Sequence, residues 1–310
     1  MRRTRTIGGL LLRAVLVALG VVLAAFLLLQ VVPGDVATAL LGSHATPESV
    51  ARLRAQLGLD LPWHERLGSF FLDLLSGGGT SLVYGESVRS LIAARAGVTL
   101  AIVGLAMLFA IVFSAGLAIT AALNHNRLAD QVIRVLTTSA LAVPAFLLAM
   151  VLILVFSVNL RWFPVGGSAD GLRSLVLPAV TAALGVVPVL TRSLRVQLLS
   201  TADADFLFAA RSAGMSRTRV VLTYLLPNAS IPALTLVGVN FAYLVGGTFI
   251  VEKVFAISGV GSLMFDSISQ RDIPVVQELV VYTALVVVLI NLVTEAAVRA
   301  VDPRRRRRTV

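Results

Sequence analysis

Six stretches of this sequence are long and apolar enough to cross a lipid bilayer as helices. They cover residues 14–32, 97–123, 132–158, 175–190, 231–251 and 275–298. A helix needs about 20 apolar residues for one crossing. The chain is 57% hydrophobic and 14% charged, whereas soluble domains are about 25% charged. The sequence therefore predicts an all-α, polytopic membrane protein with six transmembrane helices, and it argues against a soluble enzyme or a disordered chain.

Two of the six stretches are less regular than the others. The fourth, 175–190, is short and contains Pro178 and Pro188, each of which removes a helical hydrogen bond. In a bundle, neighbouring helices can satisfy the carbonyl that a proline frees. The first stretch also fits a signal peptide, because a basic segment precedes it and residues 37–39 resemble a cleavage site. Its length exceeds the usual apolar region of about 7–15 residues, which favours a retained helix.

Basic residues are distributed unequally between the two sides that this topology creates. The chain has 26 Lys and Arg residues against 16 acidic residues, a net charge of +10. With the N-terminus inside, the inner segments hold 17 basic and five acidic residues, and the outer segments hold nine and 11. Positive charge of this kind faces the cytoplasm. We therefore expect both termini inside, and the charge requires no nucleic-acid partner.

The segments between the spans differ in length within what we expect to be one transmembrane domain, 1–310. The outer segment 33–96 is long and includes a surface helix. Thr46 is suited to the N-cap of this helix, Pro47 to its first position and Gly58 to its end. A basic tail, 299–310, closes the chain on the inner side.

The inner segment 192–227 carries the strongest local pattern. Asp203 is expected to cap a short helix whose positively polarised start also favours Asp205. Gly214 allows the left-handed residue that stops such a helix, and Ser216 is suited to cap the next one. One apolar face of mostly small side chains is predicted, formed by Phe206, Ala209, Ala210 and Ala213. Such a face suits either a groove in a partner protein or the lipid interface.

Residues typical of an energy source or a catalytic site are missing from the sequence. There is no cysteine, and the three histidines are far apart along the chain, so neither thiol chemistry nor a metal site is indicated. No Gly-rich turn precedes Lys253, the only lysine, as a nucleotide-binding loop requires. The polar groups within the spans are mostly neutral, and we expect Gln30, Asn240 and Asn291 to form interhelical hydrogen bonds. A pathway driven by partner proteins fits best; a carrier or channel acting alone and a membrane scaffold are the alternatives.

The inner segment also carries a family signature. Ala209-Ala210, Gly214 after three further residues, and Leu226-Pro227 resemble the Glu-Ala-Ala-x3-Gly-x9-Ile-x-Leu-Pro motif of bacterial ABC-importer permeases. Phe208 and Tyr224 occupy the Glu and Ile positions of that motif. The Phe208 departure weakens any salt bridge from this position, but it leaves the apolar face unchanged.

Further motifs along the whole chain resemble the peptide/nickel importer permeases, and in particular their first permease subunit. These motifs lie at residues 32–35, 58–62, 79–81, 252–261, 271–274, 291–292 and 302–304. Ser258 and Glu295 depart from the Pro and Asp that are usual at their positions.

This resemblance implies a type I ABC-importer fold with a cytoplasmic coupling helix. It implies a second homologous permease, two ATPase subunits that bind ATP and Mg, and an extracytoplasmic binding protein, all at a bacterial inner membrane. This chain would hold no cofactor, metal or catalytic residue. It would form half of a pathway that imports dipeptides or oligopeptides by alternating access, or else nickel or another small chelate. The implied ATPase-coupling residues are Asp205, Phe206, Ala209, Ala210, Ala213, Gly214, Leu226 and Pro227.

Overall fold

The computed structural model describes residues 15–27, 38, 45–56 and 58–301. The predictions for the rest of the first span and for the basic tail beyond 301 lie outside these residues. In chain order the helices are α1 Val15–Leu27, α2 Pro47–Gln56, α3 Trp63–Ser76, α4 Val88–Leu123, α5 Leu128–Ala140, α6 Ala145–Leu152, α7 Leu172–Ala202, α8 Asp205–Ser212, α9 Arg217–Val220, α10 Leu226–Gly247, α11 Phe249–Val254, α12 Val260–Ser269 and α13 Ile273–Val301. A π-helical segment, Ile153–Asn159, extends α6, and another, Val221–Leu225, joins α9 to α10.

Four helices are long and apolar enough to cross a membrane, judged by length and composition. They are α4, α7, α13 and the continuous helix Thr218–Gly247. They confirm the second, fourth, fifth and sixth predicted spans. Each helix begins earlier than predicted, and the helix of the fifth span ends at Gly247 instead of at residue 251. The described part of the first predicted span, α1, is also an apolar helix.

The third predicted span, 132–158, is not one straight helix. The chain forms α5 and α6 with its π-helical extension, and the two parts are bent by 106°. The break ends at Pro144, which disfavours a helical conformation in the residue before it. Summed hydropathy does not register such a change of direction.

The fourth predicted span was too short, because α7 runs for 31 residues with Pro178 and Pro188 inside it. Its apolar window is 72% buried, against 39% or less for the other three long helices. Packing on all sides can hold the helix across both prolines. The helix also continues through residues 191–202, where polar and apolar side chains are mixed and hydropathy alone ends the prediction.

The surface helix predicted in the outer segment is α2. Thr46 caps it as expected: the Ser49 N–H donates to Thr46 Oγ1 at 3.2 Å, and the Thr46 N–H donates to Ser49 Oγ at 2.9 Å. The two residues thus satisfy each other's backbone donors in a capping box. Gly58, with φ +63°, follows the helix as predicted.

The chain divides into two compact units. One contains the described residues before 98 together with 259–288, and the other contains 98–258 and 289–301. The core of the second unit forms where buried side chains of α4 and α7 pack with those around α11, among them Ile102, Met107, Val186, Leu190 and Phe255. In the first unit, Val88 and Leu91 pack against Leu263, Val275 and Leu279.

Candidate coupling site

The short helix α8 follows α7 after a turn of two residues. Asp203 takes the C-cap position of α7, and α8 begins at Asp205. The prediction that Asp203 caps the short helix was therefore wrong, because α7 extends further than its apolar residues indicated. Asp205 lies in the first turn of α8, where its negative charge is favoured by the helix dipole.

Gly214 ends α8 in the left-handed conformation that was predicted, with φ +77°. The Met215 N–H donates to the Ala210 carbonyl at 3.4 Å, and the Ala213 N–H donates to the Ala209 carbonyl at 3.0 Å. The first of these is the bond from the second residue past the cap that defines a Schellman stop. An added Cβ on Gly214 would meet no atom within 4 Å, so backbone conformation alone restricts this position to glycine or a similarly permissive residue.

One face of α8 is packed into the second unit. Leu207 is 0% exposed and Ala210 is 7% exposed. Both belong to a cluster with Leu194 and Leu198 of α7 and with Leu225, at the π-helical segment. Ala210 therefore does not share an exposed face with the three other residues predicted there, because it points toward α7.

The opposite face of α8 is open. Phe206, Ala209 and Ala213 are exposed, as predicted. Phe208, at the motif's Glu position, is 74% exposed and is the largest apolar surface on the helix. The exposed face consequently combines two phenyl rings with small residues, whereas the spacing predicted mostly small residues with Phe206 as the one aromatic side chain.

A short helix and a π-helical segment connect α8 to α10. Ser216 caps α9 as predicted, accepting from the Arg219 N–H at 3.4 Å. The π-helical segment Val221–Leu225 then precedes Pro227, whose missing N–H interrupts α-helical bonding. Leu226 packs against the cluster around Leu207, and Pro227 is exposed.

A buried ion pair near this segment was missed from the sequence. Asp130 is 0% exposed and accepts from Arg195 Nε and Nη2, each at 2.6 Å. The Asn126 N–H adds a third bond to Asp130 at 3.0 Å, which ties the turn before α5 to α7. The partners are 65 residues apart, so no local sequence pattern indicates that they meet.

Three further buried carboxylates were also missed. Glu252 is 0% exposed and accepts from Thr99 Oγ1 at 2.8 Å and from Thr248 Oγ1 at 3.2 Å. In the other unit, Asp272 accepts from Ser81 Oγ at 2.5 Å, and Glu278 accepts from the Gly79 N–H.

Glu278 lies inside the sixth predicted span, so the expectation of mostly neutral groups within the spans was incomplete. The Ser81–Asp272 contact joins the motif at 79–81 to the motif at 271–274. The motif positions of Glu252 and Asp272 were a usable signal, but the sequence alone did not show which motifs meet, and Glu278 lies outside the motifs. Among the described residues there is no group of three or more His, Asp or Glu side chains arranged to hold a metal ion.

Comparisons with known proteins agree with this geometry. Residues 114–307 match the family described as "Binding-protein-dependent transport system inner membrane component", and residues 4–86 match its N-terminal family. The chain is 38% identical over 279 residues to the glutathione transport system permease protein GsiC of Salmonella choleraesuis (strain SC-B67), covering 90% of this chain and 91% of that protein. The GsiC protein of Escherichia coli (strain K12) is 37% identical over the same length.

Among solved structures, an inward-facing form of the MetNI methionine ABC transporter is similar, with a TM-score of 0.59 at 19% identity. The match covers 68% of this chain and 96% of that one. At this identity the likeness concerns the fold, which is that of type I ABC-importer permeases. The family match over residues 114–307 and the sequence identity to the GsiC proteins extend the assignment from the fold to the family. The chain belongs to the binding-protein-dependent inner-membrane permeases of ABC importers, in the peptide, oligopeptide and nickel group.

Proposed function

We propose that this chain forms half of the translocation pathway of an importer for small peptides, and that α8 couples this pathway to cytoplasmic ATPase subunits. The observation that carries the proposal is the two-sided character of α8. Its buried face packs against α7 and the start of α10, while its exposed face presents apolar side chains to the surroundings. A helix of this kind can transmit a partner's movement to the spans.

The buried face of α8 supports a rigid connection between α8 and the spans. Leu207 and Ala210 contact the same cluster as Leu198 of α7 and Ala229 of α10. Close-packed interiors move as units because they resist deformation. A force applied to α8 would therefore turn α7 and α10 with it, as rigid-body switching requires. The Schellman stop at Gly214 fixes the direction in which the chain returns to α10.

The exposed face of α8 supports docking of a partner protein. Phe208 is 74% exposed and Phe206 is 39% exposed. The small Ala209 of the same helix and Ala213, directly after the helix, are exposed as well. Aromatic side chains, phenylalanine among them, are enriched at protein interfaces. We assign this face to an ATPase groove, with the ATP and Mg held by that partner and no catalytic role for this chain.

Peptide cargo is supported by the relatives, which are named for glutathione transport. Glutathione is itself a peptide, so dipeptides, oligopeptides and glutathione form one chemical class of cargo. The rest of the assembly would be a second homologous permease, two ATPase subunits and an extracytoplasmic binding protein. Both termini would lie in the cytoplasm, as the distribution of arginines favours.

Uptake measurements test the cargo. A strain lacking this chain is compared with the complemented strain for uptake of a labelled dipeptide, a labelled oligopeptide, glutathione and nickel. We expect complementation to restore uptake of at least one peptide and to leave nickel uptake unchanged. Restoration of nickel uptake alone would assign the chelate cargo. Unchanged uptake of all four would contradict the proposal.

A further inference from the structure

A basic cavity lies between α5 and α7, in the second unit. It has a volume of about 510 Å³ and is lined by three guanidinium groups, those of Arg134, Arg192 and Arg195. Asp130, the acidic side chain beside them, is fully buried and is held by Arg195. Three positive charges against one negative charge leave the cavity with a surplus that favours an anion.

Threonine side chains add hydroxyl groups to the same wall. Thr137, Thr138 and Thr191 line the cavity, although the Thr137 hydroxyl already donates to the Ile133 carbonyl at 2.7 Å. Thr191 is 2% exposed, and within the described part of the chain its Oγ1 has no hydrogen-bond partner. A buried hydroxyl without a partner is costly, and it is relieved by a ligand that accepts its proton. Arginine and hydroxyl donors together match the oxygen atoms of a phosphate group.

Apolar surface adjoins the charged wall. Leu141 and Val196 line the cavity and are 56% and 51% exposed. A free phosphate ion gains nothing from such surface, whereas the acyl chains of a phospholipid can lie against it. Basic cavities between membrane helices bind anionic headgroups in this way.

We propose that this cavity binds the phosphate group of an anionic phospholipid. The surplus guanidinium charge and the Thr191 hydroxyl hold the headgroup, and the exposed Leu141 and Val196 side chains hold the start of the acyl chains. The site involves neither α8 nor the translocated cargo, so it stands apart from the proposed transport role.

Native mass spectrometry of the full chain in detergent tests the site, with phosphatidylglycerol and phosphatidylcholine of the same acyl chains as probes. We expect the wild-type chain to retain phosphatidylglycerol preferentially, and Arg192→Gln to lower its affinity about five-fold. Arg127→Gln is the matched control, because Arg127 is exposed at the start of α5 but does not line the cavity. Equal loss in both variants, or no preference between the two lipids, would overturn the proposal.

Thr191→Val is an independent variant of similar shape, and it decides the question if Arg192→Gln does not fold. Since the hydroxyl has no protein partner to lose, the melting temperature of the lipid-free chain should not fall. The stabilisation that phosphatidylglycerol gives should decrease, and an unchanged stabilisation would count against the site. Inorganic phosphate distinguishes the ligand source: displacement of lipid and full stabilisation by phosphate alone would overturn the lipid assignment in favour of a free ion.

Discussion

Gly214 and Gly78 both have a positive φ, and an added side chain is disfavoured at each for a different reason. Gly214 has φ +77° in open surroundings, so its requirement is purely conformational. Gly78 has φ +89°, and a Cβ there would lie 2.6 Å from Glu278 Oε2. The first was predictable, since a helix stop is a local pattern. The second was not, because Glu278 lies far along the chain and only folding brings it close.

Replacement of Gly214 separates transport from hydrolysis. Gly214→Val should cost about 1–2 kcal/mol locally, because a β-branched residue resists the left-handed conformation, and it should uncouple ATP hydrolysis from peptide uptake. Both rates are measured in membrane vesicles containing the full transporter. Gly214→Asn is the matched control, since asparagine tolerates this conformation. Normal uptake by Gly214→Val would contradict the proposed role of the turn.

Replacement of Gly78 tests the contact with Glu278. Gly78→Ala should lower the melting temperature more than Gly77→Ala does, because Gly77 shares a positive φ but has no atom within 4 Å of an added Cβ. In a double-mutant cycle, Glu278→Ala should remove the excess by opening the space. A cycle with additive effects would show that the close approach contributes nothing.

At the scale of elements, the sequence predicted which segments are helical better than it predicted their faces and directions. The apolar period in α8 was real, but spacing could not assign Ala210 to the buried side, since alanine suits either environment. Likewise, hydropathy marked residues 132–158 as apolar without revealing the 106° bend before Pro144. The buried face of α8 depends on packing against Leu194 and Leu198 of α7, which the local spacing in α8 does not reveal.

Arginine should have different effects on the exposed and the buried side of the α8 segment. Ala213→Arg should weaken co-purification of the ATPase subunits while leaving the melting temperature near that of the wild type, because Ala213 is exposed. Ala210→Arg should lower the melting temperature itself, since it forces a charge into the cluster around Leu207. The contrary pattern, with Ala213→Arg unfolding the chain and Ala210→Arg tolerated, would reverse the assignment of the faces.

For the whole molecule, fold class and family were readable because they rest on long apolar stretches and motifs spread along the chain. The carboxylate contacts were not readable, because they join residues from distant segments. Orientation rests on a different property, the excess of arginine in alternate segments, which is independent of packing. The arginine distribution therefore predicts which segments face the cytoplasm, and the side-chain contacts do not.

Cysteine labelling tests the topology directly, because the chain contains no cysteine of its own. Ser69→Cys and Ser200→Cys form a matched pair: both serines are exposed on helices, and each hydroxyl donates to the carbonyl three residues earlier. In intact cells a membrane-impermeant maleimide should label Cys at 69, and it should label Cys at 200 only after permeabilisation.

The labelling result depends on whether an odd or an even number of spans separates positions 69 and 200. If α4, α7 and the bent α5–α6 pair all cross, three spans separate the two positions, which then lie on opposite sides. If the bent pair returns to the side from which it entered, two spans remain and both positions lie on the same side. Labelling of both cysteines in intact cells would thus identify a re-entrant pair, and exclusive labelling at 200 would invert the proposed orientation.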